Sequence, residues 1–255
     1  MVAGLAFLAT AVATLFAQAT AVRWSRTKRP YHGAWTFALA LFALASAALA
    51  TGTATGWDTG TFRAFFLLGA IVNVPWLALG TVYLLWGTRA GRAARAALLV
   101  FTGFAAGVML TTPIHGTIDG TAIPVGKDHL DALPRALAGV GSGLGALVVL
   151  GGAVWSAVRF ARRREEPGAA RLMTSNLLIA LGVLMLSSGG LLQGFVGKDE
   201  AFALSLAVGI CVIYAGFAVA SGRSAVSREP RTRRTIFPAK VRGTVSTTST
   251  RVGNL

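Results

Sequence analysis

The sequence predicts an all-α fold: a polytopic membrane protein, a seven-transmembrane helix bundle with the N-terminus outside and the C-terminus cytoplasmic. Three observations carry that expectation. Of 255 residues 54% are hydrophobic and 13% charged, against roughly a quarter charged in an ordinary soluble domain. The apolar residues gather in runs close to the ~20 residues that a helix needs to cross hydrocarbon. The basic residues fall in alternate connections between those runs.

The first run, 2–22, carries no charge and is followed at once by Arg23, Arg26, Lys28 and Arg29. A cleaved secretory signal has its positive charge before the apolar stretch, so this run is expected to stay as the first span. The second, 34–53, ends in a Gly- and Thr-rich turn that holds Trp57 and Asp58. The third, 62–86, leads to Arg89, Arg92 and Arg95, and the fourth, 96–112, to the longest connection, 113–134. The Gly, Pro, Asp and His content of that connection marks a loop. The fifth run, 136–158, is closed by Arg159, Arg162, Arg163 and Arg164, and a short link joins the sixth, 172–192, to the seventh, 201–222. The segment 223–255 is basic, then rich in Ser and Thr, with too few apolar residues for a core. It is expected to be a disordered cytoplasmic tail.

Orientation follows from the basic residues, which are retained on the cytoplasmic side of the spans they flank. Of the 24 Lys and Arg, only Arg63, Lys127, Arg135 and Lys198 lie in the even-numbered connections. Odd connections and the tail are therefore expected inside. The net charge of +15 is then a consequence of topology, and no nucleic-acid partner is expected. Tryptophans favour membrane interfaces: Trp24, Trp35, Trp86 and Trp155 fall at expected inner ends and Trp57 at an outer one, with Trp76 near mid-depth.

Lipid supplies no hydrophobic drive between helices, so small residues that allow close approach are the expected packing surfaces. Gly103 and Gly107 form one GxxxG pair, and Gly139 with Gly143 and Gly141 with Gly145 form two more. The string 139–145 is not read as a phosphate loop, because it lies inside an apolar run instead of between a strand and a helix. Cys211 is the one cysteine and reads as a small core residue.

No Asp, Glu, Lys, Arg or His sits away from a span end. Intramembrane ionisable groups mark proton relays, voltage sensors and buried catalytic sets, so their absence argues against a pump, a retinal protein with its Schiff-base Lys, and an intramembrane protease. No cofactor is expected. In the outer loop His115, Asp119, Asp128, His129 and Asp131 are suitable ligand types for a divalent metal, but His115, Asp119, His129 and Asp131 converge only if the loop folds back. No metal is assigned.

Four polar residues in the spans are candidate ligand positions. Asn73 precedes Pro75, the one proline well inside a span; Pro removes a helical hydrogen bond, and Asn73 either satisfies the freed backbone or lines a small cavity. Gln18, Asn176 and Tyr214 share a depth near the inner face, where they form either packing contacts or a polar pocket.

The stretch 53–86, with Gly56, Trp57, Arg63, Asn73, Pro75, Gly80, Thr81 and Tyr83, and the segment 139–155 resemble seven-span membrane proteins of high-GC actinobacteria that carry no assigned activity. The chain also looks loosely similar to the seven-helix sensor modules that precede bacterial histidine kinases. The resemblance implies a multi-pass protein of the bacterial plasma membrane. The function expected is a non-enzymatic sensor-like or scaffold component; the alternative is an uncoupled facilitator for a small neutral or apolar solute, whose flux would depend on Asn73. Expected partners are the bilayer, anionic lipid at the tail, and a membrane or cytoplasmic protein.

Overall fold

The computed structural model describes residues 1–118, 120–162, 169–196 and 199–221. Asp119, the tail 223–255, and Arg163, Arg164 and Lys198 of the charge pattern lie outside them. Gly103, Gly107, Gly139, Gly141, Gly143 and Gly145 are all within.

Helix α1 (Val2–Thr27) and helix α2 (Pro30–Thr55) form an antiparallel pair. Their turn is closed by local chemistry: Lys28 takes a left-handed backbone (φ 53°) and its N–H bonds to Trp24 O at 2.8 Å, while Pro30 occupies the first turn of α2, where a missing N–H costs nothing. Helix α3 (Thr59–Phe65) runs directly into a π segment, Phe66–Val72, and then into α4 (Asn73–Thr111). A short α5 (Gly126–His129) precedes α6 (Ala132–Ala161), α7 (Ala169–Val196) and α8 (Asp199–Ser221).

Among the described residues six helical stretches are long and apolar enough to cross a membrane. One of them, Thr59–Thr111, is 53 residues long. At ~1.5 Å per residue that is about 80 Å, more than twice the ~30 Å of hydrocarbon. It is not straight. Gly87, at φ 80° and ψ −176°, interrupts the helical backbone, and the residues beyond it return along those before. Tyr83 lies against Gly91, Trp76 Nε1–H donates to Thr102 Oγ1 at 3.0 Å, and Arg63 reaches Met109 and Thr112. The separate third and fourth runs of the sequence are thus two limbs of one hairpin.

The long helices pack in the order α1, α2, α4, α6, α7, α8, and α8 returns to α1 to close a ring. Each contributes an apolar side chain to the centre: Ala13, Phe42, Ala78, Val149, Val183 and Ile210 belong to one buried cluster. Close backbone approach makes this possible. A Cβ on Gly145 of α6 would stand 2.9 Å from Val74 C and 3.0 Å from Pro75 N. A Cβ on Gly182 of α7 would meet Gly209 O of α8 at 2.8 Å, and one on Gly209 would meet Gly182 O at 3.1 Å.

The proline kink is handled by main chain. The Asn73 N–H bonds to Leu68 O, the five-residue step of a π turn, so the helix absorbs one extra residue just before Pro75. The carbonyls this displaces face α6: Ser142 Oγ–H donates to Ala70 O, and Ile71 O lies 2.8 Å from where a Cβ on Gly141 would be. Ser142 fills the role the sequence offered to Asn73, whose buried side chain bonds to no other described residue.

Candidate functional site

The chain between α4 and α6 lies over one end of the bundle as a structured cap. Its first anchor is Arg63 of α3. Arg63 Nη1–H donates to Met109 O at 2.8 Å and to Leu110 O, and Nη2–H to Thr112 O at 2.9 Å. These are the last carbonyls of α4, where a cation also complements the helix dipole.

The loop then folds back on itself. The His115 N–H donates to His129 O at 3.0 Å, and His129 Nδ1 lies 2.9 Å from His115 O. A carbonyl only accepts, so Nδ1 carries the hydrogen, and Nε2 of a neutral His129 is left as an acceptor. His115 Nε2–H donates to Asp131 Oδ1 at 2.8 Å, and both side chains are about half exposed. Two further bonds hold the loop to the bundle: Trp57 N–H to Gly120 O at 3.1 Å and Ile123 N–H to Asp199 Oδ2 at 2.8 Å. Trp57, Phe62, Met109, Ile123, Leu130 and Phe202 join in one buried apolar cluster beneath it.

Helix α5 sits on the start of the π segment. A Cβ on Gly126 would be 2.5 Å from the Phe66 ring, and the His129 ring meets Phe62 edge-on at 5.8 Å. Between α5 and the preceding loop is a cleft of ≈ 180 Å³ lined by Thr117, Ile118, Ala122, Ile123, Pro124, Val125, Asp128 and His129. The carboxylates around it differ in one respect. Asp131 is paired with His115, Asp199 accepts from Ile123, and Asp58 caps α3, whereas the Asp128 carboxylate has no partner among the described residues, its residue bonding only through the backbone N–H to Val125 O at 3.0 Å.

Asp58 gives the cap end a pH dependence. Its carboxylate accepts from the Thr61 hydroxyl and from the Thr61 and Gly60 N–H groups, and the Thr61 hydroxyl first, then these backbone bonds, hold its pKa below the ordinary carboxylate value. A group depressed in the folded state adds stability above its unfolded pKa and loses it as pH falls through the folded one. The protection of the Gly60 and Thr61 amides against hydrogen exchange should therefore be full at neutral pH and vanish below the ordinary Asp range. Protection unchanged at pH 2 would contradict the cap.

The structure disperses the polar positions singled out in the sequence. Gln18 is exposed on α1, whereas Phe16, two residues away and hence on the other side of the helix, packs on Tyr214 and Phe217 of α8. Gln18 therefore points away from the surface that Tyr214 occupies. Asn176 is partly buried on α7, but the residue that binds α8 is its neighbour Ser175, which donates to Gly216 O at 2.7 Å. Of the metal-ligand types, His115, His129 and Asp131 do come together, but bonded to each other as described; among the described residues no group of three or more His, Cys, Asp or Glu is arranged to hold a metal ion. Gly141 and Gly145 face the π segment and the Pro75 kink, whereas a Cβ on Gly103, Gly107, Gly139 or Gly143 would meet open space.

Several working residues were missed. Ser175 with Gly182 and Gly209 with Gly216 are each seven apart, and that spacing on adjacent runs was the available signal. Arg63 and Asp199 carried no such signal, since their partners are main-chain atoms distant in sequence.

The fold and the cap define an all-α polytopic bundle with helices suited to a membrane. No protein-family model, no curated protein and no solved structure matches the chain.

Proposed function

We infer that this chain is a non-enzymatic, sensor-like component of a bacterial plasma membrane. It crosses the membrane seven times, with the fold-back at Gly87 inside and the cap outside. The charge pattern supports that orientation. The Gly87 connection carries Arg89, Arg92 and Arg95, and the other connections assigned to its side carry Arg23, Arg26, Lys28, Arg29, Arg159, Arg162, Arg163 and Arg164, whereas the connections on the cap side hold only Arg63, Lys127, Arg135 and Lys198, as retention of basic residues on the cytoplasmic side predicts.

One observation carries the reading: the centre of the ring is filled by apolar side chains from all six packed helices. A facilitator needs a polar or open path, and Asn73 and Gln18 offer none in common. A filled bundle under an ordered cap is better suited to relaying a change at one end than to passing a solute. The route is physical: α5 rests on Phe66, Phe66 opens the π segment, and the π segment rests on Gly141 and Ser142 of α6.

The test is a displacement of α5 without a ligand. Gly126→Val drives a side chain into the Phe66 ring, and the amides of residues 66–73 in lipid nanodiscs are expected to exchange at least tenfold faster, because exchange reports local opening. Peptides from α7 and α8 should be unchanged. Unaltered exchange in 66–73 would remove the relay and with it the sensor-like reading.

A further inference from the structure

We propose that the cap cleft binds a small organic ammonium ion with an aliphatic body. The cleft combines apolar Ile118, Ala122, Ile123, Pro124 and Val125 with three polar side chains, the Thr117 hydroxyl, the Asp128 carboxylate and the His129 imidazole. Asp128 supplies a carboxylate that pairs with no described Lys, Arg or His, the one contact of that kind among the described residues being His115 with Asp131. In its neutral form His129 supplies a second acceptor, because the hydrogen is on Nδ1, committed to His115 O, and Nε2 then carries the lone pair.

Complementarity decides the class of ligand. A carboxylate and an imidazole nitrogen call for a donor, and a protonated amine offers three N–H groups and the opposite charge. An anion finds no cationic side chain in the lining, since Lys127 and Arg135 are not part of it and Arg135 Nη1 is turned to Lys127 O at 3.5 Å. The aliphatic walls recognise the body of the ligand, in the usual manner of a small-molecule site with few polar groups. A zinc ion is the poorer occupant, because the described lining offers two adjacent ligand side chains where zinc takes at least three from the protein.

The site gives the sensor-like reading its ligand, and only its signalling role rests on that reading. The experiment is calorimetric titration of the full chain in phosphatidylcholine nanodiscs, whose neutral surface does not itself collect cations, with n-butylammonium, n-butanol and butyrate as probes. One-site saturable binding of butylammonium is expected, at least tenfold weaker for butanol and absent for butyrate. Asp128→Asn should weaken it at least tenfold, Asp128→Glu should restore most of it and so report that the cap is folded, and Glu200→Gln, at the start of α8, should leave it unchanged. No saturable heat, equal binding of butanol, an undiminished Asp128→Asn, or equal losses from both amide variants would each overturn the site, the last by showing diffuse surface charge alone. Binding that leaves hydrogen exchange over 66–73 unaltered would keep the cleft and sink the relay.

Discussion

Replacing Gly145 by alanine is expected to destabilise the bundle by about 2 kcal/mol, within the 1–3 kcal/mol typical of overpacking. The added methyl would lie 2.9 Å from Val74 C and 3.0 Å from Pro75 N. Those are main-chain atoms of a segment already holding a π turn and a proline, so no side chain can swing aside. Gly143→Ala is the control. Its Cβ meets nothing within 4 Å, and removing a helix-interior glycine is then neutral or stabilising by up to about 1 kcal/mol. Unfolding in mixed micelles of increasing SDS fraction, followed by Trp fluorescence, measures both. Equal shifts for the two variants would mean that α6 does not rest on the Pro75 kink.

Gly87→Val is expected to cost about 3 kcal/mol for a different reason. A Cβ at Gly87 has open space around it, so crowding is not the issue. The backbone is: φ 80° with ψ −176° lies in a region that only glycine occupies at ease, and holding another residue there costs of order 1–3 kcal/mol, most for a β-branched one. Relief requires the two limbs of the hairpin to part, which strains the Trp76 bond to Thr102 and the Arg63 bonds to Met109 and Thr112. The same SDS titration should show the loss, accompanied by new trypsin cleavage at Arg89 or Arg92. Gly103→Val, at ordinary helical geometry with open space, should move stability by no more than about 0.5 kcal/mol.

The all-α polytopic class was legible because it rests on quantities the sequence displays directly: long apolar runs and few charges. Hydropathy also marked both limbs of the hairpin, since Arg89, Arg92 and Arg95 interrupt the apolar run close to where Gly87 turns the chain. It did not show that one helix bends there, because a single glycine in a run rich in glycine carries no distinguishing mark. The role of Pro75 as a disturbance was legible from its missing N–H. How the disturbance is absorbed was not, since the π turn is a main-chain adjustment and Ser142, which takes up the displaced carbonyl, lies on another helix.

The candidate site was legible in its chemistry and not in its geometry. His115, His129 and Asp131 stood out as residue types, and the loop does bring them together. Their spacing gave no indication that they would bond to each other and leave the Asp128 carboxylate without a described partner. Glycine spacing was a half-guide for the same reason: Gly141 and Gly145 press on a neighbour while Gly139 and Gly143 face outward, and a period alone does not say which face of a helix has a partner. Gln18 shows the limit of reading depth without direction, since residues at one depth in the membrane point to different sides of their helices.

The proposed topology turns on the hairpin at Gly87, which it requires to put Arg92 and the cap on opposite sides of the membrane. Cysteine labelling measures that directly. In a Cys211→Ser background, Lys127→Cys and Arg92→Cys put single thiols at exposed positions of the cap and of the Gly87 connection. In intact cells a membrane-impermeant maleimide should label Lys127→Cys at once and Arg92→Cys only after permeabilisation. Labelling of both positions from the same side, or of Arg92→Cys alone in intact cells, would contradict the account.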